Sequence, residues 1–473
     1  MLSKVKKIHL IGIGGSGMSG IAEILLSQGF HVSGSDISNS KHIERLESLG
    51  AKIAIGHEEK NVQDAQIVIY SSAIQKDNPE LKLSQNKAIP ILHRSEMLSE
   101  LIRRKQGIIV AGTHGKTTTT SMLASVLTHA KLDPTIIIGG CLNATQSSAQ
   151  QGQGKFFLAE ADESDGSFLK FNPTVAIVTN IDEDHLDYYK TYDNIKKSFE
   201  TFMSQVSFDG LVCACLDNAP LRELLPKIKR QKISYGLSKD SDITAKNIQT
   251  LGMKSSFIPV VFGKELERVT LNLPGAYNIQ NALASFAMGD YLGIDVFDIC
   301  QALCDYKGVE HRFTLVGEHN NILVVDDYAH NPVKIETVLK AAREHFKDKD
   351  IYAVFEPHRY SRVCSQFDDF AKCFSCVDKV IVTPIYGASE AHKDVAISHR
   401  DLEKAIMHSS FKGKTGHTLA VDSLKDVTST LRVVLDTCKN PHGALIITLG
   451  AGDVKYLGKQ IFDSLKSYSW QGI

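Results

Sequence analysis

Net charge is almost absent from this chain. Its 473 residues set 53 lysines and arginines against 54 aspartates and glutamates, a formal balance of −1. No overall field draws it to nucleic acid or to an anionic membrane, and either role would need a local basic patch. Long apolar runs are missing too: nothing approaches the roughly 18 residues of a membrane-spanning helix. The short run Ile8–Gly12 behind Lys4, Lys6 and Lys7 has no A-x-A site after it, so it reads as a strand entering a glycine turn, not as a leader. The nine cysteines are odd in number, and Cys213/Cys215, Cys300/Cys304 and Cys373/Cys376 share no spacing of a disulfide framework. A reducing cytoplasm is therefore expected. Cys373-x-x-Cys376 has no second pair to complete a zinc site and is expected to be buried thiols. Short-period repeats and low-complexity tracts are lacking as well.

What is present is ordinary globular material, 43% hydrophobic and 23% charged. At roughly 100 to 200 residues per domain the length suits about three domains with sizeable cores. Short β-branched runs alternate with helix-period segments throughout, the pattern of parallel α/β sheets.

Two glycine turns stand out. Gly12-Ile13-Gly14-Gly15-Ser16-Gly17 follows a strand and opens the apolar-periodic segment Met18–Gln28. Glycines here allow a tight turn and close backbone approach to a diphosphate at a helix N-terminus. Asp36, at the end of the next strand, stands where a ribose-binding carboxylate is expected. The motif predicts a nucleotide diphosphate without naming the base, and a nicotinamide dehydrogenase stays open at this point. The second turn, Gly112-Thr113-His114-Gly115-Lys116-Thr117-Thr118, follows the strand Ile108–Ala111 and precedes a helix with Met122, Leu123, Val126 and Leu127 on one face. Backbone amides would cradle phosphates there, the lysine would neutralise them and a hydroxyl would hold Mg²⁺. Val110 stands where the motif usually has its first glycine. A dehydrogenase has no use for this second site. Carboxylates for the cation are expected at nearby strand ends, and two acidic loops qualify: Glu160, Asp162, Glu163 and Asp165 after Phe156–Ala159, and Asp182, Asp184 and His185 after Val175–Thr179.

Together with Asn278-Ile279-Gln280-Asn281, His311-Arg312-Phe313 and Asp326-Asp327-Tyr328-Ala329-His330, these motifs occur in an order that resembles the Mur ligases over nearly the whole chain. The resemblance implies an α/β fold of three domains: a Rossmann-like N-terminal domain at 1–105, a central P-loop-type ATPase domain at 106–311 and a Rossmann-like C-terminal domain at 312–473. It implies an ATP-dependent, amide-forming ligase of the cytoplasm, active in cell-wall biosynthesis as a monomer or homodimer, with no nucleic-acid or membrane partner. Its substrates would be UDP-N-acetylmuramate and L-alanine. A recycling ligase that attaches a preassembled tripeptide to the same sugar nucleotide is the nearest alternative.

By the same resemblance, Gly14, Gly15, Ser16, Gly17, Met18, Asp36 and Ser71 would hold the sugar nucleotide. Residues Gly112, Thr113, His114, Gly115, Lys116, Thr117 and Thr118 would hold ATP, with Asn278, Asn281, Arg312 at the γ-phosphate and Asp327 at the ribose or hinge. Thr117 and Glu160 would hold one Mg²⁺ and His185 a second. Lys116, Glu160, His185 and Arg312 are the expected catalytic residues. Arg359 and Arg362 would pair with the alanine carboxylate, since a guanidinium fork matches a carboxylate, and Tyr328, His330 and His358 would line the same pocket. Sister ligases carry a carbamylated lysine beyond the histidine; Glu200 stands at that spacing, so none is expected.

Overall fold

The computed structural model describes residues 5–141, 143, 147–388, 390, 397–413, 416–437 and 440–466. The chain divides into two compact units, 1–248 with 257–270 and 277–309, and 249–256 with 271–276 and 310–473.

The first unit carries the N-terminal sheet and most of the central one. The N-terminal one is parallel, ordered β3-β2-β1-β4-β5 from β1 (Lys7–Ile11), β2 (His31–Asp36), β3 (Lys52–Ile55), β4 (Ile67–Tyr70) and β5 (Ile91–His93). Ile8, Leu10 and Ile11 are fully buried, as strands covered on both faces by crossover helices require. The order reverses between β1 and β4, and in such sheets ligands bind at the carboxyl ends of the strands at that switch. The glycine turn and Ser71 flank it. A buried carboxylate, Glu80, braces this end of the sheet from below: it accepts from His9 Nε2 (3.1 Å), Ser35 Oγ (2.7 Å) and Asn61 Nδ2 (2.7 Å).

The central sheet has eleven strands. Its middle is β6 (Gln106–Ala111), flanked in parallel by β9 (Phe156–Glu160) and β10 (Val175–Val178). Outside β9 lie β7 (Thr135–Ile137) and β8 (Ala149–Gln150); outside β10 lie β11 (Leu211–Cys215), β12 (Gln231–Tyr235), β13 (Ile243–Leu251), β14 (Lys254–Val261) and β15 (Lys264–Glu265), with β16 (Val269–Leu271) paired to β14. Val110 pairs with Glu160 and Ala111 with Val178, so the two acidic loops leave the sheet on either side of the phosphate loop. Helix Lys116–His129 buries Met122, Leu123, Val126 and Leu127 completely or nearly so.

The second unit is a sheet ordered β17-β18-β22-β19-β20-β21, from β17 (Thr314–His319), β18 (Ile322–Asp327), β19 (Asp350–Phe355), β20 (Lys379–Val382), β21 (Thr418–Ala420) and β22 (Ala444–Leu449). Only β17 runs antiparallel, at the edge. Separate apolar clusters cover its two faces, one around Leu339, Phe355 and Phe374, the other around Val324, Tyr352 and Ile446. Cys213, Cys215 and Cys373 are buried free thiols, whereas Cys376 is only partly buried, and no group of three or more His, Cys, Asp or Glu is placed to hold a metal among the described residues.

Candidate active site

The phosphate loop leaves β6 with Gly112 at φ 137° and reaches helix Lys116–His129 through Gly115 at φ 79°, both in the region that glycine enters without strain. Neither position has room for a side chain. A Cβ at Gly112 would lie 2.0 Å from Thr179 Oγ1, and one at Gly115 would lie 2.7 Å from Asn281 Oδ1. The loop is fixed from β10. His114 N donates to Asn180 Oδ1 (2.8 Å), Thr179 Oγ1 and Asn180 Nδ2 donate to His114 O (2.6 and 3.0 Å), and Asp182 N donates to Thr113 Oγ1 (3.0 Å). His114 Nε2 sits 3.2 Å from Asp182 Oδ2.

Lys116 curls back over this loop. Its Nζ donates to Gly112 O (2.6 Å) and to Glu163 Oε2 (2.6 Å). Burial works against the ammonium, but the Glu163 carboxylate outweighs it and raises the lysine pKa, so the charge is retained. Thr117 Oγ1 donates to Glu160 Oε2 at 2.8 Å. Glu160 is pressed close to Gly139, where a Cβ would come within 1.8 Å of Oε1. A hydroxyl and a carboxylate side by side form an oxygen pair that fits Mg²⁺, which keeps waters and phosphate oxygens as its other ligands. His185 Nε2 is 3.7 Å from Glu163 Oε1 and 3.9 Å from Asp184 Oδ2, so it shares Glu163 with Lys116. Burial opposes its charge, yet these carboxylates raise its pKa. Asn281 reaches the loop and accepts from Thr119 Oγ1 (3.1 Å), while its own Nδ2 donates to Asn278 Oδ1 (3.4 Å). Thr118 is buried in the helix's first turn.

At the N-terminal turn, Gly12 has φ 77° and packs on Ser71. Asp36 Oδ2 accepts from Gly14 N (2.8 Å) and Oδ1 from Ile37 N (2.8 Å), so this carboxylate braces the turn itself. Gly15 precedes helix Ser16–Ser27 and Gly17 lies in its first turn; the side chain of Ser16 lies outside the described residues. Met18 is 1% exposed and packs in the core.

In the second unit, both oxygens of Asp327 are taken by backbone, from Phe313 N and Ala329 N at 2.8 Å each. These bonds tie Asp327 to the segment leading into the last sheet. Burial nonetheless pushes its pKa up to about 6. Arg312 stacks on the Tyr328 ring (5.1 Å). Tyr328, His330 and His358 form a ring chain, with centroids 5.0 and 5.8 Å apart, that continues onto Tyr386. Arg362 Nη1 lies 3.1 Å from His358 Nδ1. Burial, with Arg362 and Arg359 adding to it, lowers the His358 pKa to about 4, and burial lowers that of His330 well below the usual value. Both rings are neutral at pH 7. Arg359, at φ 68°, starts helix Tyr360–Ser365 and is anchored through its N–H to Tyr386 O (2.8 Å).

Sequence reasoning overlooked Glu163 as a partner of Lys116 and overlooked Arg94. The Arg94 guanidinium pairs with Asp162 (2.6 Å), whose pKa falls to about 2 because Arg94 and the Ser164 hydrogen bonds outweigh burial.

Three family models match in succession: Mur ligase family, catalytic domain, over 7–106; Mur ligase middle domain over 110–289; and Mur ligase, glutamate ligase domain, over 311–452. The chain belongs to the Mur ligase family. Among curated members of that family, the UDP-N-acetylmuramate–L-alanine ligase of Trichlorobacter lovleyi is 44% identical across 98% of this chain and 100% of its own length. The ligase of the same name from Oleidesulfovibrio alaskensis is 45% identical across 98% and 100%. Among solved Mur ligase structures, the UDP-N-acetylmuramate–alanine ligase of Thermotoga maritima superposes with a TM-score of 0.82 at 29% identity, covering 98% of this chain and 99% of that one. A murein peptide ligase from Psychrobacter arcticus shares the fold at 23% identity, with a TM-score of 0.69 over 98% and 99%. Membership of this family ends the dehydrogenase reading of the first glycine turn.

Proposed function

We propose that this chain joins L-alanine to the muramyl carboxylate of UDP-N-acetylmuramate at the expense of ATP, in the cytoplasm, as a step of peptidoglycan synthesis. The observation that carries the reading is the convergence, at the carboxyl end of β6, of a buried cationic lysine and the Thr117–Glu160 oxygen pair, in the same unit as a second glycine turn suited to a sugar nucleotide. The relatives' names supply the substrates.

A carboxylate does not acylate an amine in water, so it is activated first as an acyl phosphate. Lys116 exchanges Glu163 and Gly112 O for the β- and γ-phosphates and stabilises the charge that gathers on the phosphoryl oxygens during transfer. Thr117 and Glu160 are the residues that would hold Mg²⁺, which neutralises phosphate charge when bound. The loop amides and Asn281 position the nucleotide. In the second unit, Arg359 and Arg362 pair with the alanine carboxylate, and Arg312 supplies a cation for the γ-phosphate. With a pKa of about 4, His358 is neutral and weakly basic, suited to orienting the amino group by hydrogen bonding.

The test is phosphate release from Mg-ATP with UDP-N-acetylmuramate plus L-alanine, glycine, L-serine or the intact tripeptide in separate reactions. Release that needs both the sugar nucleotide and L-alanine supports the proposal; release with the tripeptide alone moves the chain to recycling, and none at all refutes it. One methyl group discriminates by roughly 1 to 3 kcal/mol, so glycine is expected to give about 10- to 200-fold lower kcat/KM.

A further inference from the structure

The glycine turn after β1 has no cation of its own: residues 12–18 contain neither lysine nor arginine. One arrives from elsewhere. Arg94 begins helix Arg94–Ile102 at the carboxyl end of β5, and its Nη1 lies so close to the turn that a Cβ at Gly17 would be 3.0 Å from it. Gly17 is in the first turn of helix Ser16–Ser27, whose unpaired amides make that end positive. A guanidinium there has the wrong sign, and that helix has no acidic residue in its first turn to offset it. The offset comes from the central sheet's acidic loop: Asp162 Oδ2 accepts from Arg94 Nη2 at 2.6 Å. Ser72 Oγ, beside the switch between β1 and β4, accepts from Nε at 3.4 Å. The helix end and the guanidinium thus lie side by side, with Asp36 on the Gly14 amide, Asp162 on Arg94 and Asp165 accepting from Ser72 Oγ (3.0 Å), an arrangement in which a diphosphate would take the place of Asp162.

We propose that Arg94 is a binding residue for the diphosphate of the sugar nucleotide, and that Asp162 is the carboxylate on which it rests until that anion arrives. The inference rests on the sugar-nucleotide reading of the glycine turn. It has a mechanical corollary, because Asp162 belongs to the loop that also carries Glu160 and Glu163, the partners of Thr117 and Lys116. Releasing Asp162 from Arg94 frees that loop on the phosphate side, so an occupied sugar-nucleotide site is felt at the ATP site.

Calorimetric titration of the full chain with UDP-N-acetylmuramate and with UDP, and saturation-transfer NMR with uridine, test this. Arg94→Ala is expected to weaken both diphosphate ligands about 10- to 100-fold, to leave uridine binding unchanged, and to be partly rescued by Arg94→Lys. Asp162→Asn is expected to bind UDP at least as tightly as the wild type. Wild-type affinity for UDP in Arg94→Ala overturns the proposal, and so does an equal loss for uridine, which marks a structural role. Failure of the wild type itself to bind UDP-N-acetylmuramate would instead remove the reading on which the inference rests.

Discussion

The turn after β1 and the loop after β6 begin alike: a buried parallel strand, a glycine at positive φ, then a helix. They differ in where the cation stands and what it holds. The first turn has no internal cation, its Gly14 amide is held by Asp36, and its guanidinium is borrowed from the end of β5. The loop after β6 carries its own lysine, already satisfied by Glu163 and by a carbonyl of the loop itself. A site built mainly of backbone has only its borrowed guanidinium to release, and that one is partly exposed. A site built around a buried lysine must keep that charge paired until substrate replaces the partner, because an unpaired buried ammonium is costly.

The sharpest way to break this comparison is Lys116→Ala. Phosphate release should fall by about 10³-fold, at the upper end of the effect of losing one charge-stabilising donor, while calorimetric affinity for UDP-N-acetylmuramate stays within about threefold. Loss of both would mean that Lys116 supports the N-terminal turn as well as the phosphate loop. Gly112→Ala against Gly12→Ala compares the backbones directly. At Gly112 the new Cβ would overlap Thr179 Oγ1 and crowd Asn180, whereas at Gly12 it would meet Ser71 Oγ at 3.3 Å. ATP binding, followed by a fluorescent analogue, should fall more than about 100-fold in the first variant; the second should lose sugar-nucleotide affinity by a smaller factor, about 10-fold, through backbone strain of order 1–3 kcal/mol. Gly139→Ala should push Glu160 off Thr117 and lower kcat about 10-fold with uridine binding intact.

The smallest effect contrasts Glu163 with a buried carboxylate that has no cation. Glu356 is raised from 4.5 to about 7 by burial, against which the amides of Val454, Gly452 and Asp453 pull only partly. The folded state therefore holds this proton more tightly than the unfolded chain. Its contribution is intact below about pH 4.5 and is lost as pH rises through about 7. Glu356→Gln should melt a few degrees above the wild type at pH 8, with the gap closing by pH 5 in thermal scans.

Both glycine turns and Glu160 were legible in the sequence because each follows an apolar strand directly, where local spacing alone puts a residue at a sheet's carboxyl end. Glu163 was harder to read: three residues into an acidic loop, it resembles solvated charge, and only the fold turns it onto Lys116. Arg94 left no local signal, since its partner Asp162 is 68 residues away across a domain junction. The backbone amides that Asp36 and Asp327 accept from, and the packing around Met18, have no signature in motif position either. Motif position reports where the main chain goes and is silent on which way a side chain turns once neighbouring strands arrive.

The pairing of Val110 with Glu160 makes the sheet a ruler. Side chains along a strand alternate faces, so one residue inserted or deleted within β9 would send Glu160 to the opposite side and separate it from Thr117, with no nearby loop able to take up the error. The amino end offers no slack either, since Lys105 Nζ holds Gly152 O and Gly154 O (2.6 and 2.7 Å), so the whole segment from Gly152 to Glu160 should keep its count.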